Sequence, residues 1–147
     1  NCSGFWRLDM KIIYKTPEGT VSVIIPTSEW SGSMEELAQK DVPTGLKYKI
    51  VEDSVIPTDR TFRNAWEVDT DFKISENLTK AKDITKDRLR LERKPLLEAE
   101  DVKFMQAQET GADTKDIVAE KQRLRDITKK ADTCKNTNEL KALTATE

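Results

Sequence analysis

Histidine is absent from this chain of 147 residues, and Cys2 and Cys134 are its only cysteines. The first absence removes every histidine-based catalytic triad or dyad. Together they remove the usual zinc ligand sets, which need several Cys or His side chains at set spacings. The two cysteines lie near opposite ends of the sequence and read as unpaired thiols, with a Cys2–Cys134 disulfide as the alternative. Long apolar runs are missing too. No stretch approaches the length of a spanning helix, and the N-terminal residues lack the apolar core of a signal peptide, so no membrane role is expected. "NCS" at Asn1 and "NLT" at Asn77 accordingly read as chance matches to the glycosylation pattern. Nor is there an excess of one charge: 25 basic against 27 acidic residues give a net charge of -2. No overall field therefore draws the chain to nucleic acid or an anionic membrane.

What is present is polar. With 36% hydrophobic and 35% charged residues the core must be small, and the length suits one ordinary domain or a small domain with a helical extension. The opening "NCSGFWRLD", residues 1–9, has no period and reads as a leader that is not native, with Met10 as the expected start of the fold. Two β-branched runs, Lys11 to Tyr14 and Thr20 to Ile25, flank "TPEG", where Pro17 presets a turn and Gly19 tolerates a positive φ, which predicts a hairpin. Ser33 and Glu36 form a capping box ahead of Leu37 and Ala38, predicting one short helix that ends at Val42-Pro43. "GLKYKIVED" alternates again, as a strand should.

The stretch "DRTFRNAWEV" then packs two arginines and two large aromatics together. It reads as a short turn into a strand, since "WEVD" continues a period of two. Phe62 and Trp66 are expected to close the core against Val23, Ile25, Tyr48 or Ile50.

Past Asp71 the character changes. From Ile74 to Met105 strong helix formers carry apolar residues at helical spacing, predicting one long amphipathic helix that Pro95 kinks or divides. Gly111 reads as its stop, Asp113 and Asp116 as the start of a second helix, and Ile117, Val118, Leu124 and Ile127 as that helix's apolar stripe. The short connection predicts an antiparallel hairpin, with Arg125 facing Glu98. Asn136 and Glu139 cap a final turn or two carrying Leu140 and Leu143. The fold class is thus α+β: a small β-rich domain over residues 10–72 with one short helix, then a helical hairpin region over 73–147 with a short terminal helix. Charge follows the division, with 7 basic and 11 acidic residues over 10–72 and 17 basic and 15 acidic over 73–147.

"DRTFRNAW", the long run from "AKDITKDRLRLERKPLLEAED" to "KQRLRDIT", and "NTNELKAL" together resemble a group of small tailed-bacteriophage proteins. That group shares an arginine-rich "LR..R.PLL..D" segment, a "G.T" turn and a "KQ.LRD" helix. Here Arg90, Arg93, Pro95, Leu96, Leu97 and Asp101 sit where the pattern has them, as do Gly111, Thr114, Lys121, Gln122, Leu124, Arg125 and Asp126. The resemblance covers most of the chain from Met10 onward; residues 1–9 depart from it. It implies a tail-fibre or tail-assembly role, structural or chaperone-like, in the virion or in the host cytoplasm during assembly. It carries over no catalytic residues and no cofactor.

Three function classes follow. The first is docking to other phage tail or virion proteins together with self-association into a homo-oligomer. Its expected contact residues are Ile74, Leu78, Ala81 and Ile84, with Arg88, Arg90 and Arg93 beside them, because a second helix starting at the Gly111 turn is too short to cover that stripe. The alternative is a nucleic-acid-binding accessory protein, in which Arg60, Phe62, Arg63 and Trp66 would mix cations with stacking rings. The acidic total and the lack of a recognisable module speak against it. The third is an enzyme, for which a carboxylate pair such as Glu67 and Asp69 proves nothing without a cleft. The expected reading is not an enzyme.

Overall fold

The computed structural model describes residues 9–147. The leader expected over residues 1–9 lies, except for Asp9, outside the described residues. The chain divides into two compact units, one ending at Asn77 and the other running from Leu78 to Glu147. The fold is α+β.

The first unit is built on a three-stranded antiparallel sheet in the order β2-β1-β3: β1 (Met10–Lys15), β2 (Val21–Ile24) and β3 (Tyr48–Glu52). The expected hairpin joins β1 to β2, with Ile12 opposite Ile24, Ile13 opposite Val23, and Gly19 at φ 85 in the turn. Between β2 and β3 lies helix α1 (Met34–Asp41), whose N-cap Ser33 accepts from the Glu36 N–H while the Glu36 carboxylate accepts from the Ser33 N–H. Each strand residue alternates sides, and the sheet is covered on both. Ile12 packs on one side with Met34, Leu37, Ala38 and Val42 of the α1 region, joined by Ile24 and Ile50. Ile13, Val21 and Val51 pack on the other with Ile56 and Trp66.

The quoted arginine-aromatic stretch forms a tight 3-10 turn over Arg63–Ala65 and then strand β4 (Trp66–Val68). Trp66 is fully buried and Phe62 is 2% exposed. The partners of Trp66 differ from those expected. Tyr48 and Ile50 belong to strand positions whose side chains face the α1 side of the sheet, and Ile25 lies beyond the end of β2, 56% exposed. Of the four expected neighbours only Val23 shares the Trp66 cluster.

A further strand, β5 (Ile74–Glu76), pairs antiparallel with β4, so that Val68 faces Ile74 and Trp66 faces Glu76. The long helix was expected to begin at Ile74. That expectation fails because the segment's backbone is already committed to β4 and the Ile74 side chain packs on the Trp66 cluster. The unit closes at Asn77, whose N–H donates to the Ala65 carbonyl and whose amide donates to Glu67. The division between the units therefore falls after β5 and not at 72/73.

The second unit is helical: α2 (Leu78–Thr110), α3 (Lys115–Asp126), α4 (Lys129–Thr133) and α5 (Thr137–Ala142). α2 runs 33 residues, about 50 Å at 1.5 Å per residue, and continues through Pro95 as one helix, so Pro95 does not divide it. It ends on Gly111 at φ 70, where the Ala112 N–H reaches the Ala107 carbonyl and the Gly111 N–H the Gln108 carbonyl, a Schellman cap. α3 returns antiparallel, as expected, but its N-cap is Thr114; Asp113 serves instead by accepting from the Lys115 N–H. At the start of α5 Asn136 accepts from the Glu139 N–H, and the Glu139 carboxylate reaches back to Lys135.

Candidate docking surface

α2 has two unlike sides. Its inner side carries Ala81, Thr85, Leu89 and Ala107, all buried, and α3, α4 and α5, which pack on α2, carry the buried Leu124, Ala131 and Leu140. The Thr85 hydroxyl is satisfied by the Ala81 carbonyl at 2.9 Å. α3 alone could not cover this length. After α3 the chain continues through α4 and α5 back along the first half of α2 and completes the cover.

The basic residues of α2 are largely engaged inside this unit. Arg93 donates to the carbonyls of Leu124 and Arg125 at the end of α3, and Arg88 to those of Leu140 and Leu143 at the end of α5. Arginine suits both places because helix C-termini leave carbonyls unpaired and partly negative. Arg88 also pairs with Glu92 at 2.6 Å, and Glu92 in turn accepts from the Ala145 N–H. Burial would raise the pKa of Glu92, but hydrogen bonds from Arg88 and Ala145 outweigh it and hold the carboxyl below its ordinary value. Lys82 donates to the Asp132 carbonyl and Lys86 pairs with the Asp132 carboxylate. α2 and α3 are joined by Lys121 to Asp101 at 2.6 Å, in place of the expected pair between Arg125 and Glu98.

The residues proposed from sequence as contacts therefore divide. Ile74 belongs to β5 in the other unit. Ala81 is fully buried, and Leu78 and Ile84 are half-buried, so this stripe has little left to offer a partner. Arg88 and Arg93 hold helix ends. Arg90 is exposed and paired with Asp87.

The outer side of α2 was missed by the sequence reading. Leu91 is 74% exposed, Met105 54% and Val102 49%. At 100° per residue these three fall within an arc of roughly 60°, centred roughly 130° from the buried set. Positions 91, 95, 98, 102, 105 and 109 advance by four and three in alternation, the spacing of a helix seam that packs on another helix. The signal was in the sequence: all the apolar residues of α2 were assigned to one stripe, whereas their angles separate them into two.

Other features of the surface carry less. An open cleft of about 410 Å³ in the first unit is lined by Lys15, Lys47, Val68, Asp69, Thr70 and Phe72. Phe72 stands at φ 61 in the β4–β5 turn, where Asp69 Oδ1 accepts from the N–H groups of Asp71 and Lys73. Both carboxylates of the candidate pair thus have structural bonds, Asp69 here and Glu67 with Asn77. Cys134 is a free, buried thiol whose pKa is raised by burial and by Glu139. Among the described residues no group of three or more His, Cys, Asp or Glu is placed to hold a metal ion, and no helix is long and apolar enough to cross a membrane.

No protein-family model, curated protein or solved structure matches the chain.

Proposed function

We propose that this is an assembly protein that acts by docking, with the outer side of α2 as its contact surface. The observation that carries it is the exposure of Leu91, Val102 and Met105 along one line of a long helix whose buried residues, Ala81, Thr85, Leu89 and Ala107, lie on another side. Large apolar side chains aligned and uncovered on a rigid element mark a protein contact more than a catalytic one. The setting we propose is the one its resemblance implies: the tail of a tailed bacteriophage, as a structural part or an assembly chaperone.

The nucleic-acid reading loses its main support, because the rings of Phe62 and Trp66 are buried and present no stacking platform, and most cations of α2 are bonded within their own unit. A photo-crosslinking amino acid at Val102 of the full chain tests the docking reading in the producing cell, with the same group at exposed Lys115 as a control. The expected product is an adduct, identified by mass, to a tail protein or to a second copy, formed from Val102 in excess over Lys115. Equal or absent adducts at the two positions would overturn the reading.

A further inference from the structure

We infer that the cleft at the Lys15 end of the first unit's sheet binds a carboxylate carried on an apolar body. This cleft belongs to the first unit, so it stands or falls independently of docking by α2. Two lysines face each other there across the sheet. The β1–β3 pairing runs from Met10 opposite Glu52 to Tyr14 opposite Tyr48, and one further step of the same register sets Lys15 opposite Lys47. Lys15 also stands opposite Val21, and Lys49 opposite Ile13, both residues of the Trp66 cluster. By alternation the three lysines therefore share the face on which the β4–β5 hairpin lies. Like charges directly opposite on a sheet are destabilising. Neither the Lys15 nor the Lys47 side chain has a hydrogen-bond or ion-pair partner among the described residues, whereas the Lys49 ammonium donates to the Asp71 carbonyl. Residues 10–72 hold 7 basic residues against 11 acidic, and three of the basic ones gather at this one place.

The rest of the cleft, about 410 Å³, is lined by Val68, Asp69, Thr70 and Phe72 of the β4–β5 turn. Phe72 stands at φ 61, a conformation that bulky residues rarely adopt, and its half-buried side chain both lines the cleft and packs on the Trp66 cluster. Asp69 is the one carboxylate of the lining, and its Oδ1 is taken by the N–H groups of Asp71 and Lys73. Two ammonium groups thus stand beside the apolar surface of Val68 and Phe72. Together they suit a ligand with one negative group and an apolar remainder. A phosphate fits less well. The N–H groups of Asp69, Asp71, Phe72 and Lys73 are all bonded within the turn, which leaves no run of free amides to cradle three oxygens. A carboxylate needs only the point charges that lysines supply.

Titration of the isotope-labelled full chain with isocaproate and with acetyl-glycyl-leucine, followed by amide chemical shifts, tests this. The expected result is saturable shifts at Lys15, Lys47, Thr70 and Phe72, with a dissociation constant in the millimolar range. Acetyl-glycyl-leucinamide, which lacks the charge, and acetate, which lacks the apolar body, should each bind roughly tenfold more weakly. Lys15→Gln and Lys47→Gln should each weaken binding roughly tenfold, whereas Lys40→Gln, on α1 at the other face of the sheet, should leave it unchanged. Lys47→Glu turns a like pair into an opposite one, so it should raise the melting temperature of the first unit while abolishing binding. Tighter binding of the peptide than of isocaproate supports the site with a chain terminus as its ligand, and equal binding supports it with a free organic acid. Shifts that do not saturate, or an amide that binds as well as its acid, would overturn the inference. So would inorganic phosphate binding more tightly than either acid, or a Lys47→Glu chain that melts no higher than the parent.

Discussion

Trp66 is the residue on which the first unit depends most. Its ring is fully buried among Ile13, Val21, Val51 and Ile56, and it joins the sheet to the β4–β5 hairpin. Trp66→Ala should cost about 3–5 kcal/mol in lost transfer energy and cavity, enough to unfold a small unit. Trp66→Phe should cost much less than its lost volume suggests. The buried indole N–H has no hydrogen-bond partner among the described residues, and removing such a donor recovers about 1–3 kcal/mol of desolvation. Denaturant titration followed by near-ultraviolet signals would check the order; a Phe variant as unstable as the Ala variant would contradict it. Glu92 permits a prediction about pH. Its folded pKa is depressed, so its contribution is present above the ordinary carboxylate value and is lost as pH falls through the folded one. Glu120, held low first by its hydrogen bond from Arg123, and Asp126, held low first by Gln122 and then Lys129, act in the same direction. The helical unit should therefore lose stability as pH falls below about 4, and Glu92→Gln should flatten that part of the curve.

At the scale of elements, α2 raises the question of why Pro95 is tolerated. Proline cannot supply the ladder bond to the Leu91 carbonyl, but Leu91 and Pro95 both lie on the exposed side, where water can serve that carbonyl. Pro95→Ala should therefore stabilise the helix, by about 1–3 kcal/mol in thermal unfolding. If Pro95 instead sets a bend that the packing of α3 requires, the substitution would destabilise. The same elements show how far the sequence could be read. The Ser33–Glu36 box, the Gly19 hairpin and the Gly111 stop were legible because their signals lie within a few residues of one another. β5 was not, because a strand of three residues is specified by its pairing with distant β4 and its own composition suits a helix. α4, of five residues, carries too little pattern to announce itself. The burial of Trp66 was legible and its neighbours were only partly so, since those depend on which face of the sheet α1 covers. In the docking surface, the arginines' hold on the carbonyls of α3 and α5 was beyond the sequence, whereas the outer stripe needed only an angle count.

At the scale of the whole molecule, two units with separate cores should not unfold as one. Trp66→Ala should abolish the near-ultraviolet signal of the first unit while leaving most of the far-ultraviolet helical signal, which comes from α2 to α5. Concerted loss of both would show that the units are thermodynamically coupled. The continuity of α2 has a consequence for how such a chain can vary. A helix that is packed along its whole length has no loop in which to absorb a change of length. One residue added near Pro95 would turn everything downstream by about 100° and lift it by about 1.5 Å. The partners of Leu89 would stay in place while those of Ala107 moved out of reach. Tolerated length changes should therefore cluster in the connections, such as Gly111–Thr114 and the stretch between α1 and β3, while the fold of α2 should survive substitutions on its outer side and insertions nowhere.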